Sequence, residues 1–355
     1  MTLGKALQLQ FSERHFAIFR DQISGLEYIR SSKSVHESGL FTMLEGFQYH
    51  GFVDFREVED FDGVYSEVNA FLNGRGVPSI ELAIQQILVK DVHVAMRKNY
   101  NEQLCEDFFD IEKLSENLDL YRENYKDFLR AIKDYTGTKK SIAPAEAEFN
   151  KTLNNFIFLM KNKAKNKELT EIRQKFEDLF KNPVHQVVFY SWVMLHSTGK
   201  IFSKTDWEEN SRSLIKEMFF NKLIDEIAVK MELKEKDFIN DLVLILTEHQ
   251  NWFHKLRQSD KSLKELIKSY LSDFNVRSFI RVNRYNGVLW FQKESLEMIM
   301  DWMEILACLD ILKSNYPSLE TIESDIEELY EILGDVDIAV ENSNFQLEKF
   351  LQFLK

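Results

Sequence analysis

Backbone punctuation is scarce in this chain: four prolines and twelve glycines serve 355 residues, against ordinary usage of about 5% and 7%. Glycine supplies the positive φ of tight turns, and proline stops helices and ladders. A sheet-rich fold with many short connections needs both, so their scarcity predicts long helices. The 29 phenylalanines, 12 tyrosines and five tryptophans supply buried area, because each ring removes a large apolar surface from water. A chain of this length fills one large core or two moderate ones. The expected fold class is all-α. We expect a multi-helix bundle, either one continuous domain or two helical subdomains over 1–138 and 144–355, with at most one short β-hairpin near Asn286-Gly287.

Charge narrows the partners. The formal net charge of −13 opposes binding to the phosphate backbone, which requires a basic face that displaces counterions. It opposes anionic membrane in the same way, so neither nucleic acid nor membrane is expected as a partner. Cys105 and Cys308 are too few for a disulfide framework or a four-cysteine zinc site; they read as small buried hydrophobes. The segment MTLGKALQLQFSERHF lacks the apolar core of a signal peptide. The longest apolar run, Val187–Tyr190 resuming at Trp192–Leu195, is far shorter than the roughly 20 residues that cross a bilayer. A soluble, cytoplasmic protein is the expectation.

Periodicity places the elements. Phe16, Phe19, Ile23 and Leu26 sit at helical spacing and predict one amphipathic helix over 7–30. Residues 31–38 read as a loop. Four glycines between 39 and 63 suggest short, bent helices. Ser79 is placed to cap a helix reaching Lys98. Tyr121, Tyr125, Phe128, Ile132 and Tyr135 form a 4-3-4-3 seam, closed by Gly137 as a left-handed cap, and 139–144 reads as a linker. The lysine run 161–167 carries no interleaved aromatics and reads as a solvated edge. Asn182-Pro183 opens a helix that is apolar nearly all round and belongs in a core. Thr205 with Glu208, and Ser262 with Glu265, make capping-box patterns. Helices are also expected over 238–256, 266–274, 293–313 and 345–354. Tyr316-Pro317-Ser318 separates the third of these from a heptad-like run, Ile322 to Val340. That run is rich in acids and without lysine or arginine.

Few patterns carry chemistry. No glycine-rich phosphate loop or nucleophile elbow occurs. His249 and His254 lie five apart, off the i, i+4 spacing that grips zinc. His185 and His196 fall in the buried helix, where hydrogen-bonded core histidines are expected. Asp107 and Asp110 resemble the first metal motif of class I terpene synthases, which are all-helical and aromatic-rich. Their second motif would fall on Asn240 and Glu248, but its intermediate hydroxyl ligand is replaced by Leu244. That resemblance implies a magnesium-dependent, all-helical enzyme as one alternative. On any other reading no metal and no cofactor is implied.

The stretch from Val276 to Met303 departs from helical patterning. Asn286-Gly287 between apolar flanks signals a hairpin, and Lys293-Glu294-Ser295 then opens a helix with Leu296, Ile299, Met300 and Met303 on one face. The run Asn283-Arg284-Tyr285-Asn286-Gly287-Val288-Leu289-Trp290-Phe291-Gln292-Lys293-Glu294 resembles the N-x-Y-x-G-V-x-W-F-x-K-E segment of long bacterial alpha-amylase-family glycoside hydrolases. There it lies near the C-terminal end, in a helix-rich region that follows the catalytic barrel. Catalysis in that family needs a (β/α)₈ barrel with an aspartate nucleophile, a glutamate acid/base and a second aspartate on strand ends. This sequence has no such series of strand–helix units, so no catalytic residue is carried over. The resemblance implies a non-catalytic helical accessory domain of alpha-glucan metabolism, within a larger enzyme or beside one. Its partner would be the catalytic barrel domain or another protein. The residues it points to for partner or glycan contact are Tyr285, Asn286, Trp290, Phe291, Lys293 and Glu294. Ordinary packing of Tyr285, Trp290 and Phe291 under the turn, and stacking of alpha-glucan on exposed rings, both stay open. A helical protein-interaction module with no carbohydrate link is the other alternative.

Overall fold

A computed structural model describes residues 1–42, 44, 46–47, 49–161, 167–258, 261–312 and 319–354. The protein is predominantly helical, as its sparse punctuation predicts. It divides into two compact units, Met1–Asp91 and Val92–Lys355.

The first unit corrects the expected helix over 7–30. Helix α1 (Leu3–Ala6) is followed by strands β1 (His15–Asp21) and β2 (Glu27–Ser31), helix α2 (Ser32–Ser38), strand β3 (Phe52–Glu59) and helices α3 (Val64–Leu72) and α4 (Ile80–Leu88). The strands form an antiparallel sheet in the order β2-β1-β3. The fold therefore holds more β-structure than the single hairpin expected. The cause lies in β1, a central strand buried on both faces: Phe16, Ala17, Ile18 and Phe19 are all buried, and a doubly buried strand shows no alternation to betray it. Phe16 and Ile18 join Ile29, Val68, Leu72 and Ile80 in a core between sheet and helices. The turn between β1 and β2 is organised by Asp21, whose carboxylate accepts from Ile23 N, Ser24 N and Ser24 Oγ. The loop expected at 31–38 is helix α2, and the bent helices expected before residue 63 include strand β3. β3 carries a bulge opposite Ile18 and Arg20, with Asp54 at φ 56°.

The second unit is helical. It continues through α5 (Lys90–Arg97), which spans the division, then α6 (Glu102–Phe109), α7 (Ile111–Glu116), α8 (Leu118–Thr136), α9 (Ala143–Lys161), α10 (Lys167–Leu179) and α11 (Pro183–Leu195). A 3₁₀ turn, Thr198–Ile201, leads to α12 (Trp207–Glu217), α13 (Phe220–Lys230), α14 (Lys236–His249), α15 (Trp252–Gln258), α16 (Leu263–Tyr270) and α17 (Phe274–Phe279). A hairpin of β4 (Asn283–Tyr285) and β5 (Val288–Trp290) precedes α18 (Lys293–Ile311), α19 (Leu319–Asn342) and α20 (Leu347–Phe353). The expected helix ending at Lys98 is two helices, because Val89 breaks it between α4 and α5.

Helix α11 is the axis of this unit, as its all-round apolar sequence requires. Asn182 Oδ1 accepts from Val184 N, and every residue from Val187 to Leu195 is buried. Phe189 lies within ring contact of Phe156, Phe176, Phe180 and Trp302, so four helices meet on one aromatic cluster. The seam on α8 buries Tyr121, Tyr125, Phe128 and Ile132, while Tyr135 at its end is exposed. The segment read as a linker at 139–144 joins two helices that pack together: Tyr125 on α8 stacks on Phe149 of α9 at 3.7 Å. It therefore lies inside the second unit. Cys105 and Cys308 are free and buried, and burial pushes both thiols up. No helix among the described residues is long and apolar enough to cross a membrane.

Candidate interaction site at the hairpin

The Asn286-Gly287 signal is realised as a two-residue turn. Both residues have positive φ, 48° and 80°, the conformation that matches the twist of a short ribbon. Asn283 pairs with Trp290, Arg284 with Leu289 and Tyr285 with Val288.

The hairpin is anchored at one end and open at the other. Phe291 is buried and its ring contacts Phe345 and Phe350. Phe291 N donates to Phe345 O at 3.1 Å, and Gln292 N to Ile280 O at 2.8 Å. Trp290 is half-buried, bridges to Gln346 and keeps its indole N–H enclosed without a partner among the described residues. Lys293 pairs with Glu341 and Glu297 and lies 5.9 Å from the centre of the Phe345 ring. Glu294 is exposed in the first turn of α18, where its charge suits the helix N-terminus. Arg284, Tyr285, Asn286 and Gly287 are all exposed, Tyr285 at 67%. The six residues singled out from the sequence thus separate. Phe291, Trp290 and Lys293 hold the ribbon down; Tyr285, Asn286 and Glu294 are exposed.

Below the hairpin, Leu296, Ile299, Met300 and Met303 of α18 line a cavity of about 40 Å³, together with Trp252, Tyr270 and Phe350. Ligand pockets run to roughly 300–1,000 Å³, so this space holds no sugar ring. His249 on its wall belongs to an ionic group that the sequence did not reveal. Arg212 makes a two-pronged contact with Asp273 at 2.9 and 3.1 Å, and His249 Nε2 lies 3.2 Å from the same carboxylate. Burial opposes ionisation of Asp273, but hydrogen bonds from His249 and Asn275 N and the charge of Arg212 outweigh it and hold the carboxyl well below its usual range. The three side chains come from helices far apart in sequence, so no local pattern announces them.

The residues of the magnesium alternative have other partners. Asp107 accepts from Lys113 at 2.8 Å and Gln103 at 3.0 Å, so an ammonium already occupies the place of a cation. Asp110 caps α7. Asn240 donates to Asp225 at 2.8 Å, and Glu248 lies 3.7 Å from Arg212. Among the described residues no group of three or more His, Cys, Asp or Glu side chains is placed to hold a metal.

The histidines are divided in the same way. His196 is buried, with Nε2 3.1 Å from Thr152 Oγ1 and Nδ1 2.9 Å from Val193 O. His185 is buried too, but its Nδ1 has no hydrogen bond among the described residues. Its ring packs on Trp302 and Phe238 instead, and burial lowers its pKa. A groove of about 460 Å³ elsewhere in the unit is lined by Trp207, Lys200, Lys255, Glu148 and Glu208. Two ion pairs lie within it: Lys200 bonds Glu148 at 2.6 Å and lies over Trp207, and Lys255 pairs with Glu208 at 3.1 Å. The lysine run at 161–167 and the Tyr316-Pro317-Ser318 turn fall wholly or mostly outside the described residues. The acidic helix α19 is partly neutralised, with Arg257 on Asp325 and Glu328.

Compared with protein-family models, curated proteins and solved structures, the chain matches none.

Proposed function

We propose that this chain is a non-catalytic helical accessory module of alpha-glucan metabolism, and that its hairpin docks against an alpha-amylase-family catalytic barrel. The observation that carries this reading is the division of the hairpin into a buried base and an exposed tip of Arg284, Tyr285 and Asn286. Exposed tyrosine and arginine are the side chains that most often anchor protein interfaces. A buried base supports such an anchor because the tip's position is fixed before a partner arrives, which lowers the ordering cost of binding. Protein contact is favoured over sugar stacking here. Tyr285 is the one exposed ring of the β4–β5 hairpin itself, and the cavity lined by α18 is about 40 Å³.

The test is sedimentation velocity of this chain mixed with an alpha-amylase-family barrel encoded in the same genome. A complex should form, and Tyr285→Ala should weaken it about tenfold or more, as loss of an interface anchor does. The substitution should leave thermal stability within about 0.5 kcal/mol, since the ring is exposed. Absence of a complex, or one indifferent to Tyr285, would contradict the reading. Electrophoresis through soluble starch separates the sugar alternative: unretarded migration is expected, and retardation abolished by Tyr285→Ala would replace barrel docking with glucan contact.

A further inference from the structure

Two Asn-Gly steps occur in the chain, Asn73-Gly74 and Asn286-Gly287. Asparagine before glycine is chemically labile. The backbone nitrogen of the glycine attacks Cγ of the asparagine, and no β-carbon on the glycine stands in its way. The N–Cγ bond forms, the Cγ–Nδ2 bond breaks, and ammonia leaves with the proton that the backbone nitrogen gives up. Water then opens the resulting five-membered imide at one of its two carbonyls. Opening at Cγ leaves aspartate. Opening at the main-chain carbonyl leaves isoaspartate, in which the chain runs through the side chain. No oxidant or reductant takes part. Local sequence ranks the two steps equally. Both asparagines are exposed, and both steps have positive φ: 44° and 86° at the first, 48° and 80° at the second.

Their surroundings differ. Ring closure needs rotation about the Cα–C bond of the asparagine, which swings the glycine nitrogen toward Cγ and displaces the chain beyond it. At Asn73 that chain is held. Asn73 caps α3, its N–H donating to Asn69 O at 3.0 Å. Gly74 O accepts from Arg30 Nη2 at 2.8 Å. Arg75 donates to Leu72 O from its backbone N at 2.9 Å and from Nε at 3.2 Å, and Leu72 lies in the core with Phe16, Ile18 and Val68. Asn286 and Gly287 are both exposed. Neither the Asn286 side chain nor the Gly287 N–H has a hydrogen-bond partner among the described residues, and a Cβ on Gly287 would meet nothing within 4 Å. Rotation there disturbs only a ribbon of three residue pairs. Two-stranded ribbons are marginal in water, and short exposed elements open at far lower cost than a core does. Phe291 and Lys293, which fasten the hairpin, lie at its other end.

We propose that Asn286 is a site of spontaneous covalent modification, passing through the imide to aspartate and isoaspartate, and that the fold protects Asn73 from the same reaction. Either product adds a negative charge to the exposed tip. Isoaspartate also places one extra atom in the main chain between residues 286 and 287. A two-residue turn fixes the register of its strands, so the longer link breaks the pairing of Tyr285 with Val288. The inference rests on the geometry of the two steps and is independent of the barrel-docking reading.

The experiment is ageing of the purified full chain at mildly alkaline pH, with peptide mapping by mass spectrometry at intervals. Exchange of the amide for a carboxyl is read as a mass gain, and chromatography separates isoaspartate from aspartate. In native buffer Asn286 should convert about tenfold or more faster than Asn73, because the two steps open at different cost. In concentrated urea, where neither step is held, the two rates should converge. The isolated isoaspartate form should lose hydrogen-exchange protection at the β4–β5 amides and keep it in α11. Conversion of Asn73 as fast as Asn286 in native buffer, or no conversion of Asn286 there, would overturn the proposal. So would the same tenfold ratio in urea, which would assign the difference to local sequence, or full β4–β5 protection in the isoaspartate form.

Discussion

Asp273 shows what one residue contributes through its surroundings. Its carboxylate is shared by Arg212, His249 and Asn275 N, and its pKa in the fold lies below the ordinary aspartate value of about 3.9. A carboxyl with a depressed folded pKa stabilises the native state above its unfolded pKa. That contribution is lost as pH falls through the folded value. Asp273→Asn should therefore cost about 2 kcal/mol at pH 7, the scale of a charged hydrogen bond. The difference from the native protein should shrink as pH is lowered below about 4, read by urea unfolding at a series of pH values. A deficit that does not change with pH would contradict the assignment. Neighbouring residues show how far local sequence reaches. Ser262 and Glu265 form the capping box their spacing predicts. Thr205 and Glu208 have the same spacing and do not: α12 begins at Trp207 after Asp206, and Glu208 is buried beside Asn251 and Lys255. A tertiary partner outbid the local cap. Gly199 is similar, since a Cβ there would lie 2.0 Å from Trp207 O, and nothing near it in sequence announces that contact.

Among the elements, the long helices of the second unit were legible; the three-stranded sheet, helix α2 and the break between α4 and α5 were not. Helix α11 announced its burial through apolar residues on all sides, and α8 through its tyrosine seam. Strand β1 hid because Phe16 and Phe19 fit a helical spacing as well as a doubly buried strand, and Asp21 and Gly25 turn the chain without proline. The β4–β5 hairpin was legible because Asn-Gly has a specific backbone meaning. Gly287, at φ 80° with open space around it, should tolerate alanine sterically but at a conformational cost of about 1–2 kcal/mol. Loss of hydrogen-exchange protection in Gly287→Ala should be confined to the β4–β5 amides, with α11 and α18 unchanged. Equal loss throughout the second unit would show that the hairpin is integral to the core. The Asp273 group was invisible because it gathers Arg212, His249 and Asp273 from separate elements, and charge in isolation carries no address.

At the scale of the whole molecule, the helical unit Val92–Lys355 packs an aromatic cluster around α11 and leaves the hairpin tip exposed. The proposed contact role rests on that exposed tip. The central claim is that Tyr285 sits in an interface with a catalytic barrel. Its most direct test is to replace Tyr285 with a photo-crosslinking phenylalanine analogue in the native host, irradiate, and identify the adduct by mass spectrometry. Leu120, exposed on α8, serves as the control position. The account predicts a crosslink from position 285 to an alpha-amylase-family barrel, on another chain or on a further part of the same one, and none from position 120. No adduct at 285, or the same adducts from both positions, would contradict it.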